Sequence, residues 1–138
     1  MSGLRVRDLM SERVLTVLPS DHLVAVRDLM ERHSIRHVPV VDGEGRLLGL
    51  VTHRDLLRYG MVEQADVPTS VADEVLERIE VADVMTVQPA TVSPETELHR
   101  AASLMLRKKY GCLPVVAKGQ LVGILTESDF VRMACAVN

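Results

Sequence analysis

A mixed α+β fold made of two copies of one β-α-β-β-α unit is the class this sequence predicts, and three observations carry it. Val6-Arg7-Asp8-Leu9-Met10 returns as Val81-Ala82-Asp83-Val84-Met85. The segment HVPVVDGEGRLLGLVTHRDLLR, from His37 to Arg58, returns as CLPVVAKGQLVGILTESDFVR, from Cys112 to Arg132. Between these blocks the spacing holds without a gap, so Thr16-Val17 matches Thr91-Val92 and Leu29-Met30 matches Leu104-Met105. Only the turn is shorter in the second copy. Self-similarity on this scale implies two copies of one supersecondary unit stacked to share a core. A copy of about fifty residues would be marginal alone, so one compact body is expected. Paired copies create two related clefts where they meet, and such clefts are where ligands tend to bind.

Each copy opens on a short helical segment, Val6 to Met10 or Val81 to Met85, and passes into an extended piece, Leu15 to Val17 or Ala90 to Val92. Pro19-Ser20 and Pro94-Glu95 read as helix starts, because proline suits the first helical position and serine caps well. The helix from Asp21 to about His33 carries Leu23, Val26, Leu29 and Met30 at helical spacing. Its partner, roughly Glu95 to Lys109, does the same with Leu98, Ala101, Leu104 and Met105. Two strands follow, His37 to Val41 and Leu47 to Val51, joined by the turn signal Asp42-Gly43-Glu44-Gly45. The second copy pairs Cys112 to Val116 with Leu121 to Leu125 across Lys118-Gly119, and a closing helix begins at Thr52 or Thr126.

Residues 1–60 thus form repeat 1 and residues 81–138 repeat 2, with 61–80 as linker and connecting helix. Met61 to Ser70, containing Pro68, is the linker and Val71 to Ile79 the helix. Pro39 and Pro114 break a local rule at the same place in both copies. Proline donates nothing to a sheet ladder, so an edge strand or a kink is expected there.

The bulk composition excludes several function classes. At 138 residues, 47% hydrophobic and 25% charged, the chain is globular and can bury a core. A net charge of −3 without a run of Lys or Arg argues against nucleic acid as a partner. No apolar stretch reaches the length of a membrane span, and no signal-peptide core opens the chain. Cys112 and Cys135 lack metal or redox spacing, which favours a buried thiol and a reducing cytoplasm. His22, His33, His37, His53 and His99 show no metal-ligand spacing, so no metal is expected. With one Phe, two Tyr and no Trp, the core must come from aliphatic residues and Met.

The strongest chemical element is Thr52-His53-Arg54-Asp55, with its twin Thr126-Glu127-Ser128-Asp129. Each follows an apolar strand and opens a helix. A helix N-terminus offers unpaired N–H groups and partial positive charge, which favour an anion. A threonine hydroxyl can add a bond to phosphate, and a carboxylate one turn later can accept two bonds from vicinal ribose hydroxyls. The same pattern is close to a capping box, which satisfies helix-end donors without any ligand. The two roles are compatible, since Thr can cap in the empty state.

The order D-x-M, T-V-x-P, h-P-V-V and L-h-G-h-h-T-x-x-D, given twice from about Leu4 to Met133, resembles a tandem pair of CBS domains, the cystathionine-β-synthase-type regulatory module. The resemblance implies two β-α-β-β-α repeats packed sheet to sheet with pseudo-twofold symmetry, and pairs that associate into a disc-like homodimer. It also implies adenosine ligands (AMP, ADP, ATP, S-adenosylmethionine) in the two clefts, and a signal passed to a partner. By analogy with the family, one site would use Thr52, Arg54 and Asp55, with Leu50, Ala90, Tyr110 and Gly111 around the base. The other would use Thr126, Ser128 and Asp129, with Ile124, Leu15, Ile35, Arg36 and His37.

Arg54 can meet phosphate as a charge-assisted donor, whereas Glu127 stands at the equivalent of His53 and would repel a polyphosphate. Arg36 would compensate there. The first site is therefore expected to prefer phosphorylated adenosine. The leading expectation is a nucleotide-sensing module acting on a partner in trans, with no required cofactor. The alternative is a ligand-free dimerisation or protein-interaction scaffold. Without a nucleophile–base pair or metal set, an enzyme is not expected.

Overall fold

The computed structural model describes residues 3–58 and 69–136. The chain divides into two compact units, one of Leu15–Gln88 and one of Met1–Val14 with Pro89–Asn138. They are called here the Thr52 unit and the Thr126 unit. Each unit takes its opening D-x-M segment from the other repeat. Val81–Met85 stays with the first repeat's sheet, and Val6–Met10 joins the second repeat's sheet.

In the Thr52 unit, helix α2 (Leu23–His33) buries Leu23, Val26 and Met30, the apolar face set by the sequence spacing. Strands β1 (His37–Val41) and β2 (Leu47–Thr52) pair antiparallel, and helix α3 (His53–Arg58) follows directly. Helix α4 (Thr69–Arg78) contributes Leu76 to the core, and a 3-10 turn (Val81–Asp83) contributes Val81. The linker expected over Met61–Ser70 lies outside the described residues except for Thr69 and Ser70, which open α4. A short strand β3 (Thr86–Val87) adds to β2, pairing Leu50 with Thr86 and Gly49 with Val87. The core cluster is Val17, Leu23, Val26, Met30, Val38, Val40, Val51, Leu56, Leu76 and Val81.

The Thr126 unit repeats the plan. Helix α1 (Val6–Leu9) and helix α5 (Leu98–Lys108) flank strands β4 (Cys112–Ala117) and β5 (Gln120–Thr126), and helix α6 (Glu127–Ala136) closes the unit. Val6 is fully buried with Leu98, Ala101, Met105, Leu113, Val115 and Leu125. Its hairpin turns through Lys118 and Gly119, both at positive φ (52° and 78°), as a two-residue primed turn requires. Where β3 sits in the Thr52 unit, Ser11 here forms a single bridge, its N–H on the Ile124 carbonyl at 2.9 Å and its carbonyl on the Ile124 N–H at 3.0 Å.

Two expectations change. The extended pieces are not full strands: Val17 and Val92 each make one parallel bridge, to Val40 and Val115. The helices also start later, at Leu23 and Leu98, because Pro19 and Pro94 occupy turns. Leu18 to Asp21 closes through Asp21 N–H on the Leu18 carbonyl at 3.0 Å, and Ser93 to Thr96 closes through the equivalent bond at 3.1 Å. Proline at the second position of a turn is as favourable as at a helix start. The Pro19 and Pro94 carbonyls then accept from Ala82 and Arg7, which ties each opening segment to its unit.

Pro39 and Pro114 behave as their positions predict. Each lies in a strand whose far side, among the described residues, makes only the single bridge, and each carbonyl faces that side, accepting from Val17 or Val92 at 3.1 Å. A residue's N and C=O point the same way along a strand, so the missing N–H removes no bond from the β1–β2 or β4–β5 ladder. A bulge follows each proline, at Val40/Val41 and Val115/Val116.

Candidate functional site

The two T-x-x-D elements stand at matching places, each linking a strand end to a helix start. Both close a reciprocal capping box. The Thr52 N–H donates to Asp55 Oδ2 at 2.8 Å, and the Asp55 N–H donates to Thr52 Oγ1 at 3.3 Å. In the twin, the Thr126 N–H reaches Asp129 Oδ2 at 2.8 Å and the Asp129 N–H reaches Thr126 Oγ1 at 3.4 Å. Thr126 Oγ1 also donates to Asp129 Oδ2 at 3.2 Å. Asp55 and Asp129 are the buried charged side chains among the described residues, at 8% and 3% exposure. A carboxylate is tolerated at such depth because backbone donors and cations satisfy it.

Beyond the caps the two carboxylates differ. Asp129 Oδ1 accepts from Ser11 Oγ at 3.2 Å and from Arg132 Nη2 at 2.5 Å. Among the described residues, Asp55 Oδ1 has only Arg58 Nη1 at 3.9 Å, outside hydrogen-bond reach. Ser11, Arg58 and Arg132 were not singled out by the sequence. Their signal was there in part, since Arg58 and Arg132 follow Asp55 and Asp129 at the i,i+3 spacing that lets helix side chains meet.

Within the Thr52 unit the structure brings Arg36 and His37 beside Thr52 and His53. His37 pairs with Thr52 across the ladder, and the His53 N–H donates to the Arg36 carbonyl at 2.8 Å. Ser34 in the left-handed region (φ 54°) ends α2 and turns Ile35, Arg36 and His37 into β1. Arg36 and Arg54 are exposed; Leu15, Ile35 and Leu50 are half-buried. The Thr126 unit gathers the matching set. Lys109 (φ 58°) ends α5, the Glu127 N–H donates to the Gly111 carbonyl at 3.2 Å, and Cys112 pairs with Thr126. Tyr110, Ser128 and Glu127 are exposed, Ala90 and Gly111 half-buried and Ile124 buried. The expected groupings of Thr52 with Ala90, Tyr110 and Gly111, and of Thr126 with Leu15, Ile35, Arg36 and His37, take residues from different units.

The electrostatics follow from these neighbours. Two exposed guanidinium groups, Arg36 and Arg54, belong to the Thr52 unit near its helix start, while Glu127 stands at the start of α6. Among the described residues no group of His, Cys, Asp or Glu could hold a metal ion, and no helix is long and apolar enough to cross a membrane. Cys112 is buried, which pushes its thiol up from 9.0 to about 12; Cys135 is exposed, and both thiols are free.

Comparison with known proteins extends these observations. A CBS domain-containing protein from Dictyostelium discoideum is 32% identical over 135 residues, covering 96% of this chain and 92% of that one. The crystal structure of CBSX2 from Arabidopsis thaliana superposes with a TM-score of 0.85 at 32% identity, covering 99% of this chain and 97% of that one. A crystal structure of CBSX2 in complex with AMP gives a TM-score of 0.82 at 31% identity, with 99% of each chain covered. Longer relatives also match. The chain spans 42% of an uncharacterized Methanocaldococcus jannaschii protein (28% identical) and 21% of an inosine-5'-monophosphate dehydrogenase from Korarchaeum cryptofilum (36% identical). The CBS domain model matches residues 6–62 and 81–135, segments that contain both T-x-x-D caps and both proline-bearing strands, and the chain belongs to the CBS-domain family.

Proposed function

We propose that this chain is a regulatory module that binds an adenosine nucleotide through its T-x-x-D elements and modulates a partner in trans. The observation that carries the reading is the AMP complex of CBSX2, a chain 31% identical and matched over 99% of its length. The local chemistry supports it. Asp55 is a buried residue whose Oδ1 accepts no hydrogen bond among the described residues, which leaves an acceptor for a ribose hydroxyl. Arg54 is exposed in the first turn of the helix that Thr52 opens and suits a phosphate. AMP is the favoured ligand, with ADP, ATP and S-adenosylmethionine as the remaining members of the class. The ligand acts as an effector and not as a substrate. The working form is a cytoplasmic homodimer.

Thermal shift with AMP, ADP, ATP and S-adenosylmethionine tests the proposal. A ligand specific to the native state stabilises it by about 2.7 kcal/mol at a hundredfold excess over Kd. The closed caps favour a second reading, a ligand-free interaction scaffold, because they leave the helix ends satisfied without a nucleotide. An unchanged melting temperature with all four compounds selects the scaffold.

A further inference from the structure

The two T-x-x-D carboxylates are not in the same state, and the difference lies in residues outside the motif. A carboxylate offers about four acceptor positions. Asp129 has donors on all of them: Thr126 N–H and Thr126 Oγ1 on Oδ2, Ser11 Oγ and Arg132 Nη2 on Oδ1. Asp55 has the Thr52 N–H on Oδ2, and its Oδ1 accepts no hydrogen bond among the described residues. Both acids carry an arginine one turn on, so composition does not separate them. The separation is geometric: Arg132 sits at 2.5 Å and Arg58 at 3.9 Å. Ser11, held beside β5 by its bridge to Ile124, adds the second donor. Its equivalent in the repeat, Thr86, is engaged in β3 and makes no hydrogen bond to Asp55.

We propose that Arg132 and Ser11 act as an internal competitor for Asp129, so that a nucleoside must displace them to use the Thr126 element while the Thr52 element is open. The inference rests on the nucleotide reading and adds the regulation of one of its two elements. A vicinal diol donates two hydrogen bonds, the same demand that Ser11 and Arg132 already meet. The Arg132 side chain is 67% exposed, so solvent and salt screen its ion pair. It is therefore a displaceable latch. The device makes the two elements fill in order as nucleoside concentration rises, Thr52 first.

A site-resolved titration tests this. Backbone amide signals of Asp55 and Asp129 are followed by NMR while adenosine is added to the full chain. Adenosine carries no phosphate, so an arginine's attraction for phosphate cannot mask its competition for the carboxylate. Asp55 is expected to half-saturate at the lower concentration. Arg132→Ala should lower the Asp129 midpoint by about two- to fivefold, the scale of a partly screened ion pair, and leave the Asp55 midpoint in place. Ser11→Ala should move it in the same direction, and Arg132→Gln, which keeps the stem without the charge, should match Arg132→Ala. An Asp129 midpoint that stays put or rises in all three variants overturns the latch while leaving nucleoside binding intact. If no amide at either element of the wild-type chain moves with adenosine or AMP, the nucleotide reading fails and the latch with it.

Discussion

Two glycines in the middle of strands, Gly49 and Gly123, mark where each opening segment crosses its sheet, and replacing them measures that docking. A Cβ built at Gly123 would lie 2.7 Å from Met10 Sδ and 3.0 Å from the Ser11 carbonyl oxygen. At Gly49 the same atom would lie 2.7 Å from Met85 Sδ and 2.8 Å from the Thr86 carbonyl oxygen. A thioether swings aside cheaply, but a carbonyl held in a ladder does not. Overpacking of this kind costs about 1–3 kcal/mol, offset by about 0.4–1 kcal/mol from stiffening the unfolded chain. Gly49→Ala should therefore destabilise by about 1–2 kcal/mol and Gly123→Ala by about half that. For a chain of this size these become melting-point drops of about 5 °C and about 2 °C by calorimetry. A double-mutant cycle sharpens the test. Met10→Ala should recover most of the Gly123→Ala loss, whereas Met85→Ala should recover little of the Gly49→Ala loss, because the Thr86 carbonyl remains. Alanine variants that both melt at or above wild type would refute the close approach of these segments to β2 and β5.

Other consequences can be measured together. Val6→Ala should cost about 2 kcal/mol in denaturant unfolding, because Val6 is fully buried among second-repeat residues; a surface-like loss under 0.5 kcal/mol would contradict that placement. Asp129→Ala should destabilise more than Asp55→Ala, by about 1 kcal/mol, since it leaves Ser11 and Arg132 without their acceptor in addition to opening a cap. Equal losses would count against the different bonding of the two acids. Native chain treated with a thiol reagent near pH 8 should label Cys135 and spare Cys112, whose burial raises its pKa to about 12. The same shift has a stability sign: the folded state keeps the Cys112 proton longer, so that contribution is whole below pH 9.0 and drains away as pH rises toward 12. Labelling of both thiols at equal rates in the native state would refute the burial.

Much of this was legible in the sequence because the chain states it twice. The strand pairs were readable to within a residue or two, since the turn residues around Gly43 and Gly119 bracket apolar runs. The helix faces were readable from spacing alone, Leu23, Val26 and Met30 in one copy and Leu98, Ala101 and Met105 in the other. The helix starts were not, because proline serves a turn and a first helical turn equally well, and here Pro19 and Pro94 sit in turns closed on the Leu18 and Ser93 carbonyls. The exchange of opening segments was also hidden. A repeat boundary says where similarity begins, not which sheet the segment packs against. Gly49 and Gly123 were the available clue, since glycine inside a strand marks a close backbone approach. At the site, the T-x-x-D pair stood out, but the competition for Asp129 depends on Ser11, which is 118 positions away along the chain.

The most direct measurement is a crystal structure of this chain grown with AMP. Electron density is expected for the nucleotide with its ribose hydroxyls about 2.7 Å from the Asp55 carboxylate and its phosphate toward Arg54, the cap between Thr52 and Asp55 rearranged or shared. Density for AMP elsewhere on the chain, with both aspartates still holding only their own helix starts, would contradict it.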